Sequence, residues 1–446
     1  MPATPYDSAI FGDLFGDAEL GRLFSDSAEI RAMLLALGAL ARAQGAVGLI
    51  PEISAAAIHR DALELTIDPG GLAAETGTSA VVVPALIKAF RHGMQAPEHA
   101  QYVHWGATSQ DIIETGLILR LRQVIAIQEA RLVGLIKALG GLAARHAELP
   151  MAARTYAQLA TVTSFGAVVT SWGQPLLRHL DRLGGVRDDL LCVSLSGAAG
   201  TLAAMGPKGP EVRAGLAAGL GLADPGGSWH AERDRIGAFA GWMTQVAVSL
   251  GKIGEDLILL SQSGIEEVAL GQGGGSSTMP QKSNPVQPSL LVALGRHLVA
   301  LNAAMQGAGM HRQQRDGAAW FTEWLSLPQM CLGLGRALTL AVDLADGLTP
   351  DAGRMEAGID GGLGLIHAEA LSFALAARMP RPEAQAAVKE LCVAARQTQR
   401  SLADLAAQRW PDSDFGRLFS PAAQLGTAPE EARGFAARAA ARAALG

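Results

Sequence analysis

Between Thr108 and Pro150 apolar residues recur at helical spacing without interruption, from Ile112 to Ala144. Thr108-Ser109-Gln110-Asp111 places a hydroxyl at the start and an acid three residues on, the pattern of a capping box. Pro150 blocks any continuation. The stretch predicts a helix of roughly 35 residues, about 50 Å long at 1.5 Å per residue. A stripe that long needs neighbours of similar length to cover it, so the rest of the chain must supply them.

It does. Helical patterns occupy residues 162–183, ending at Gly184-Gly185, and then residues 235–263, 288–305 and 325–347. Shorter ones cover residues 27–46, stopped near Gly48 and Pro51, and residues 81–93, after a turn at Gly77-Thr78-Ser79. Gly/Ser/Pro-rich connections at 194–210, 224–229 and 271–288 separate the long patterns. From Pro350 short helical patterns alternate with turns. Only 5% of the residues are aromatic while Gly numbers 53, a bias toward closely packed helices over sheets. The expected fold is all-α: a central long-helix bundle, residues 108–348, flanked by smaller helical domains at 1–107 and 349–446.

Charge and cysteine usage narrow the function classes. The net charge is −6 with both signs dispersed, which disfavours nucleic acid as a partner. Three distant cysteines, Cys192, Cys331 and Cys392, form neither a disulfide framework nor a zinc pattern and point to reduced thiols in a cytoplasm. No basic and apolar leader opens the chain, and the longest uncharged stretch, residues 236–251, is too short to span a bilayer comfortably. A cytoplasmic protein without a membrane partner is expected.

Three stretches carry chemistry. Gly271-Gln-Gly-Gly-Gly-Ser-Ser-Thr-Met-Pro-Gln-Lys-Ser-Asn-Pro285 cannot be helical and forms a loop between two long helices. Its consecutive glycines let backbone N–H groups converge on an anion, and Lys282 adds positive charge. Ser276 or Ser277 in such a nest would lose its proton more readily than a free hydroxyl. The bland alternative is a flexible linker, which the ordered Ser-Ser-x-Met-Pro-x-Lys-x-Asn-Pro succession makes a poor description. His104-Trp-Gly-Ala-Thr-Ser-Gln-Asp111 opens the longest helix, where unpaired N–H groups favour carboxylates and Thr108, Ser109 and Gln110 add donors. Simple capping explains the same residues, and both roles can coexist. Arg154-Thr-Tyr-Ala-Gln158, after Pro150, could present polar tips to a pocket or merely form a surface loop. His92, His99 and His104 fit no common zinc spacing, and no Rossmann or P-loop fingerprint occurs, so neither metal nor cofactor is expected.

Together these stretches resemble the fumarase/aspartase superfamily, whose members share three separated sequence regions. The loop GGGSSTMPQKSNP matches its signature, and the resemblance runs over most of the chain. It implies a homotetramer with a helical core from four subunits, active sites assembled from three of them, and a small polycarboxylate substrate. YVHWGATSQDIIETGLILRLR, LSGAAGTLAAMG, WHAERDRIGAFAGW and PVQPSLLVALGR resemble the bacterial cycloisomerase branch, which closes a lactone on a carboxylated muconate during aromatic breakdown. Adenylosuccinate lyases carry histidines where this chain has Tyr156 and Gly77-Thr78-Ser79. The chain also departs from the cycloisomerase pattern, with Tyr156 for a common Trp and Gln281 and Ser283 for His and Arg.

The resemblance implies Ser276 as the proton-transfer residue, with Lys282 stabilising its alkoxide. It further implies that Thr108, Ser109, Gln110, Arg154, Thr155, Gln158, Ser277, Met279 and Asn284 line the substrate site. Arg315, in QQRDGAAWFTEW, resembles a substrate-side arginine, and Tyr156 shapes the pocket. Two alternatives stay open: another lyase of the superfamily, such as an adenylosuccinate-lyase-like enzyme, and a catalytically silent relative.

Overall fold

The computed structural model describes residues 4–271, 274–275 and 279–444. Five long helices dominate a chain that is 70% helical. After α1 (Asp26–Ala46) come α2 (Ser109–Arg145), α3 (Phe165–Leu190), α4 (Asp234–Leu260), α5 (Val286–Ala308) and α6 (Gly317–Gly347). The 37-residue α2 starts where the sequence says it should, because Asp111 Oδ2 accepts from the Thr108 backbone N–H at 2.9 Å.

Four local expectations differ from what forms, one of them the start of α6, at Gly317 rather than near residue 325. Helix α3 runs through Gly184-Gly185 to Leu190. Two glycines cost about 2 kcal/mol of helix propensity, but buried Leu183 and Leu190 hold the helix on either side of them. The turn expected at residues 77–79 is the end of a short helix, Ala73–Ser79. The Thr76, Thr78 and Ser79 hydroxyls donate back to the carbonyls of Leu72, Ala74 and Glu75, which removes their competition with the helical ladder. The reversal comes one residue later, at Ala80 (φ 62°). The stretch after Pro150 is an antiparallel hairpin, β1 (Pro150–Thr155) and β2 (Gln158–Ser164), rather than an irregular loop. The uncharged residues 236–251 lie inside α4. By length and composition α5 and α6 are also apolar enough to cross a membrane, with 44% and 61% of their most apolar windows buried.

The chain divides into two compact units. The first comprises residues 1–130, 179–247 and 294–337. Its core joins α1 and the short helices before α2 to Val193, Leu195, Leu216 and Trp320. The turn into α2 needs Gly106 (φ 70°), where a Cβ would stand 2.8 Å from Met205 Cγ. Some polar groups inside this unit pair across helices: Gln128 donates to the Cys331 carbonyl at 3.2 Å and Trp242 Nε1 to the His179 carbonyl at 2.9 Å.

The second unit comprises residues 131–178, 248–293 and 338–446. Trp172, fully buried, donates Nε1–H to Asp256 at 2.7 Å. Gly173 lies flat against the Phe435 ring, and a Cβ there would stand 2.0 Å from Phe435 Cζ. A separate apolar cluster of Leu371, Leu375, Leu391, Leu402 and neighbours fills the C-terminal helices.

Candidate active site

In the first unit the N-terminus of α2 sits over a buried charge network. Asp111, fully buried, accepts from the backbone N–H groups of Thr108, Ser196 and Gly197 at 2.8–3.0 Å and pairs with His230 Nε2 at 2.8 Å. One helical turn on, Glu114 Oε1 accepts from Gln110 Nε2 at 2.7 Å and Arg233 Nη1 at 2.8 Å. Arg233 also makes a two-pronged pair with Glu323, at 2.8 and 2.6 Å, and lies over the Trp229 ring. Burial pushes the Glu114 carboxyl up, and Arg233 and Gln110 oppose that shift.

The surface of this network is polar and aimed outward. Arg315, itself exposed, donates Nε–H to Gln110 Oε1 at 2.8 Å, and its Nη2 reaches the Thr108 hydroxyl at 3.4 Å and the Ala198 carbonyl at 3.5 Å. Thr108 and Ser109 are half-buried at the helix start. Burial lowers the His104 pKa, partly countered by a backbone hydrogen bond at Thr108 and by Asp111. His311 is lowered too, by burial and by Arg233. Arg315 thus stands at the start of α2 beside Thr108 and Gln110, where its exposed positive charge favours a carboxylate. A cavity of about 590 Å³ in the same unit is lined by Phe24, Met33, Leu117 and Trp324, with Arg120 and Glu323 among its walls.

The second unit holds the other two motifs. Arg154 makes a two-pronged pair with buried Glu267, both bonds 2.8 Å, so its charge is met by the chain's own carboxylate. This ties down β1 just before the hairpin turn. Tyr156 (φ 51°) and Ala157 (φ 60°) both occupy the left-handed region, as a two-residue type I′ turn requires. Tyr156 is 101% exposed, and Thr155 and Gln158 flank it in the open. The signature stretch folds back on itself, with Gly274 paired to Asn284 and Gly275 to Ser283. The Lys282 N–H donates to the Met279 carbonyl at 3.0 Å, and both side chains are exposed. Asn284 is half-buried. Ser276 and Ser277 lie outside the described residues.

Thr108, Gln110 and Arg315 are thus brought together from opposite ends of the sequence, whereas Thr155, Tyr156 and Gln158 stand on a hairpin tip. Sequence reasoning missed Glu114, Arg233 and Glu323. Glu114 was visible in principle, four residues after Gln110 on the same helical face. Among the described residues no group of three or more His, Cys, Asp or Glu is arranged to hold a metal.

Residues 18–299 match the lyase family, and the chain belongs to it, with a fold of the fumarase/aspartase type. Its similarities are more particular than that. The chain is 38% identical to a 3-carboxy-cis,cis-muconate cycloisomerase of Pseudomonas aeruginosa over 94% of both chains. It is 38% identical to the enzyme of the same name from Pseudomonas putida, covering 88% of this chain and 94% of that one. The solved structure of the 3-carboxy-cis,cis-muconate lactonizing enzyme from Pseudomonas putida superposes with a TM-score of 0.90 at 34% identity, covering 98% of this chain and 99% of that one.

Proposed function

We propose that this chain is a cycloisomerase that closes 3-carboxy-cis,cis-muconate to its carboxymuconolactone, a step in the breakdown of protocatechuate. The full-length likeness to enzymes of that name carries the reading. A carboxylate oxygen of the muconate adds to an alkene carbon, and a proton goes to the neighbouring carbon, which is α to another carboxylate. The charge that develops there spreads into that carboxylate as an enediolate. Fixed donors aimed at it supply most of the help, typically several kcal/mol. The nucleophile is internal, so ring closure starts with its reactants already in place.

In this reading Ser276 delivers the proton and Lys282, with the loop N–H groups, stabilises the alkoxide left behind. Thr108, Ser109 and Arg315 hold substrate carboxylates at the start of α2, and Gln110 belongs to the same wall. Ser277, Met279 and Asn284 complete the loop side. Thr155, Tyr156 and Gln158 approach from the hairpin, which Arg154 pins through Glu267. The chain works as a cytoplasmic homotetramer with active sites shared between subunits. Two observations support this assembly. The hairpin's proposed binding residues are exposed on a stiff tip with nothing of their own to enclose. Helix α5 is apolar yet leaves Val286 and Val299 about half exposed, the surface that further helices would cover.

Loss of the ultraviolet absorbance of 3-carboxymuconate on addition of purified protein tests the activity. Protein that leaves this diene unchanged but releases fumarate from adenylosuccinate would place the chain among the amine-releasing lyases. Inertness toward both would mark a silent relative. Gel filtration with light scattering tests the tetramer.

A further inference from the structure

Gln110 lies at the N-terminus of α2 beside groups read as carboxylate binders, yet it is only 1% exposed and its amide is already engaged inside the protein. Its Nε2 donates to Glu114 Oε1 at 2.7 Å and to the His230 carbonyl at 3.0 Å, while its Oε1 accepts from Arg315 Nε at 2.8 Å. The amide has one workable orientation. Turned over, its oxygen would face two acceptors and its NH₂ would face a guanidinium. Glu114 is in turn fixed by Arg233, which Glu323 grips from the other side.

We infer that Gln110 is a positioning residue: it carries no substrate contact of its own but holds Arg315, through Nε, in the orientation that receives a substrate carboxylate. The chain Glu114–Gln110–Arg315 links a wholly buried carboxylate to an exposed guanidinium that lies 205 positions from Gln110 in sequence. A long arginine side chain on the surface loses much rotamer freedom when it orders, and a partner that orders it beforehand saves that loss on binding. Arg315 Nη2 already leans on Thr108 and Ala198, and Nη1 has no acceptor among the described residues. With Nε and Nη2 held, the Nη1 edge is the one left to a ligand. The inference rests on the cycloisomerase reading for the identity of the ligand, though not for the placement of Arg315.

The test is a double-mutant cycle on the full-length enzyme with 3-carboxymuconate as the substrate. Gln110→Met keeps the length of the side chain and removes its polar atoms. Gln110→Asn keeps the amide but draws it one methylene short of Arg315, and serves if the Met variant folds poorly. Either variant, and Arg315→Ala, should raise KM by about tenfold or more with a smaller change in kcat, the scale of a lost hydrogen bond to a charged group. The double variant Gln110→Met/Arg315→Ala should match Arg315→Ala alone within about twofold, because a residue acting only through Arg315 has nothing left to act on. Effects that multiply would show Gln110 touching the substrate itself and overturn the inference, as would an unchanged KM in both single Gln110 variants. Crystal structures of wild type and Gln110→Met provide a readout independent of turnover. Arg315 should leave its wild-type position in the variant, and an unmoved guanidinium would refute the idea. Wild-type protein inert toward 3-carboxymuconate would remove the proposed function, while the two crystal structures would still decide what places Arg315.

Discussion

Removing Arg233 should expose how much of this protein depends on one buried cation. Its side chain is 1% exposed and contacts Glu114 and Glu323, themselves 0% and 4% exposed. In Arg233→Met the packing volume is roughly kept, but two carboxylates are left in the interior without a counter-ion. Breaking a buried pair by deleting one partner costs about 3–5 kcal/mol. For a chain of this size, where the shift is about 1 °C per kcal/mol, that amounts to a fall in Tm of roughly 3–5 °C. The deficit should depend on pH. Burial already pushes Glu114 up, and Arg233 is the largest opposing influence. Without it, the Glu114 carboxyl is pushed further up, above its unfolded range near 4.3, and folds preferentially in the protonated form. Between those two values the unfolded state binds fewer protons than the native one, so stability falls as pH rises. The variant's deficit should therefore be smaller at pH 5 than at pH 8. Differential scanning fluorimetry of both proteins across that interval measures it. A Tm within about 1 °C of wild type, or a deficit that does not change with pH, would contradict the account of Glu114 and Glu323 as buried charges that depend on Arg233.

Three further outcomes are expected. Ser276→Ala should remain folded and tetrameric while kcat drops by at least about a hundredfold, the usual scale for proton-transfer catalysis; stopped ultraviolet assays at saturating substrate read this, and an unaltered kcat removes Ser276 from the mechanism. Gly173→Ala should lower stability by about 1–3 kcal/mol or more, because the added methyl meets the Phe435 ring within a helix that cannot shift freely; thermal melts check it, and a neutral result would mean that Phe435 moves aside at no cost. Tyr156→Gly should raise stability by about 1 kcal/mol by relieving a left-handed backbone at a fully exposed side chain, yet lower kcat/KM if the hairpin tip reaches a neighbouring subunit's substrate; gain of stability without loss of activity would place Tyr156 away from the site.

The sequence alone settled what depends on local chemistry. Unbroken helical periodicity with a capping acid and a following proline located α2 to within a few residues, since helix start and stop signals act over one turn. The same reasoning located α1, α4 and α5 closely. Its misses were also local in form but not in cause. Gly184-Gly185 reads as a stop, yet the helix runs past it with Leu183 and Leu190 buried on either side. Tyr156-Ala157 carries none of the glycine or asparagine that advertises a type I′ turn, so the hairpin shows only once the strands on either side are paired.

What the tertiary structure decided is which polar residue answers to which. Gln110 looked like a ligand contact because helix N-termini favour anions, and the fold turned it inward against Glu114, His230 and Arg315. Arg154 reads as a substrate-side residue, and the fold pairs it with Glu267, 113 positions along the chain. Hydrophobic spacing tells which face of a helix is buried, because that preference belongs to each residue singly. Pairing of buried charges belongs to two residues at once, and nothing in the sequence near either one specifies its partner until the chain has brought them within 3 Å.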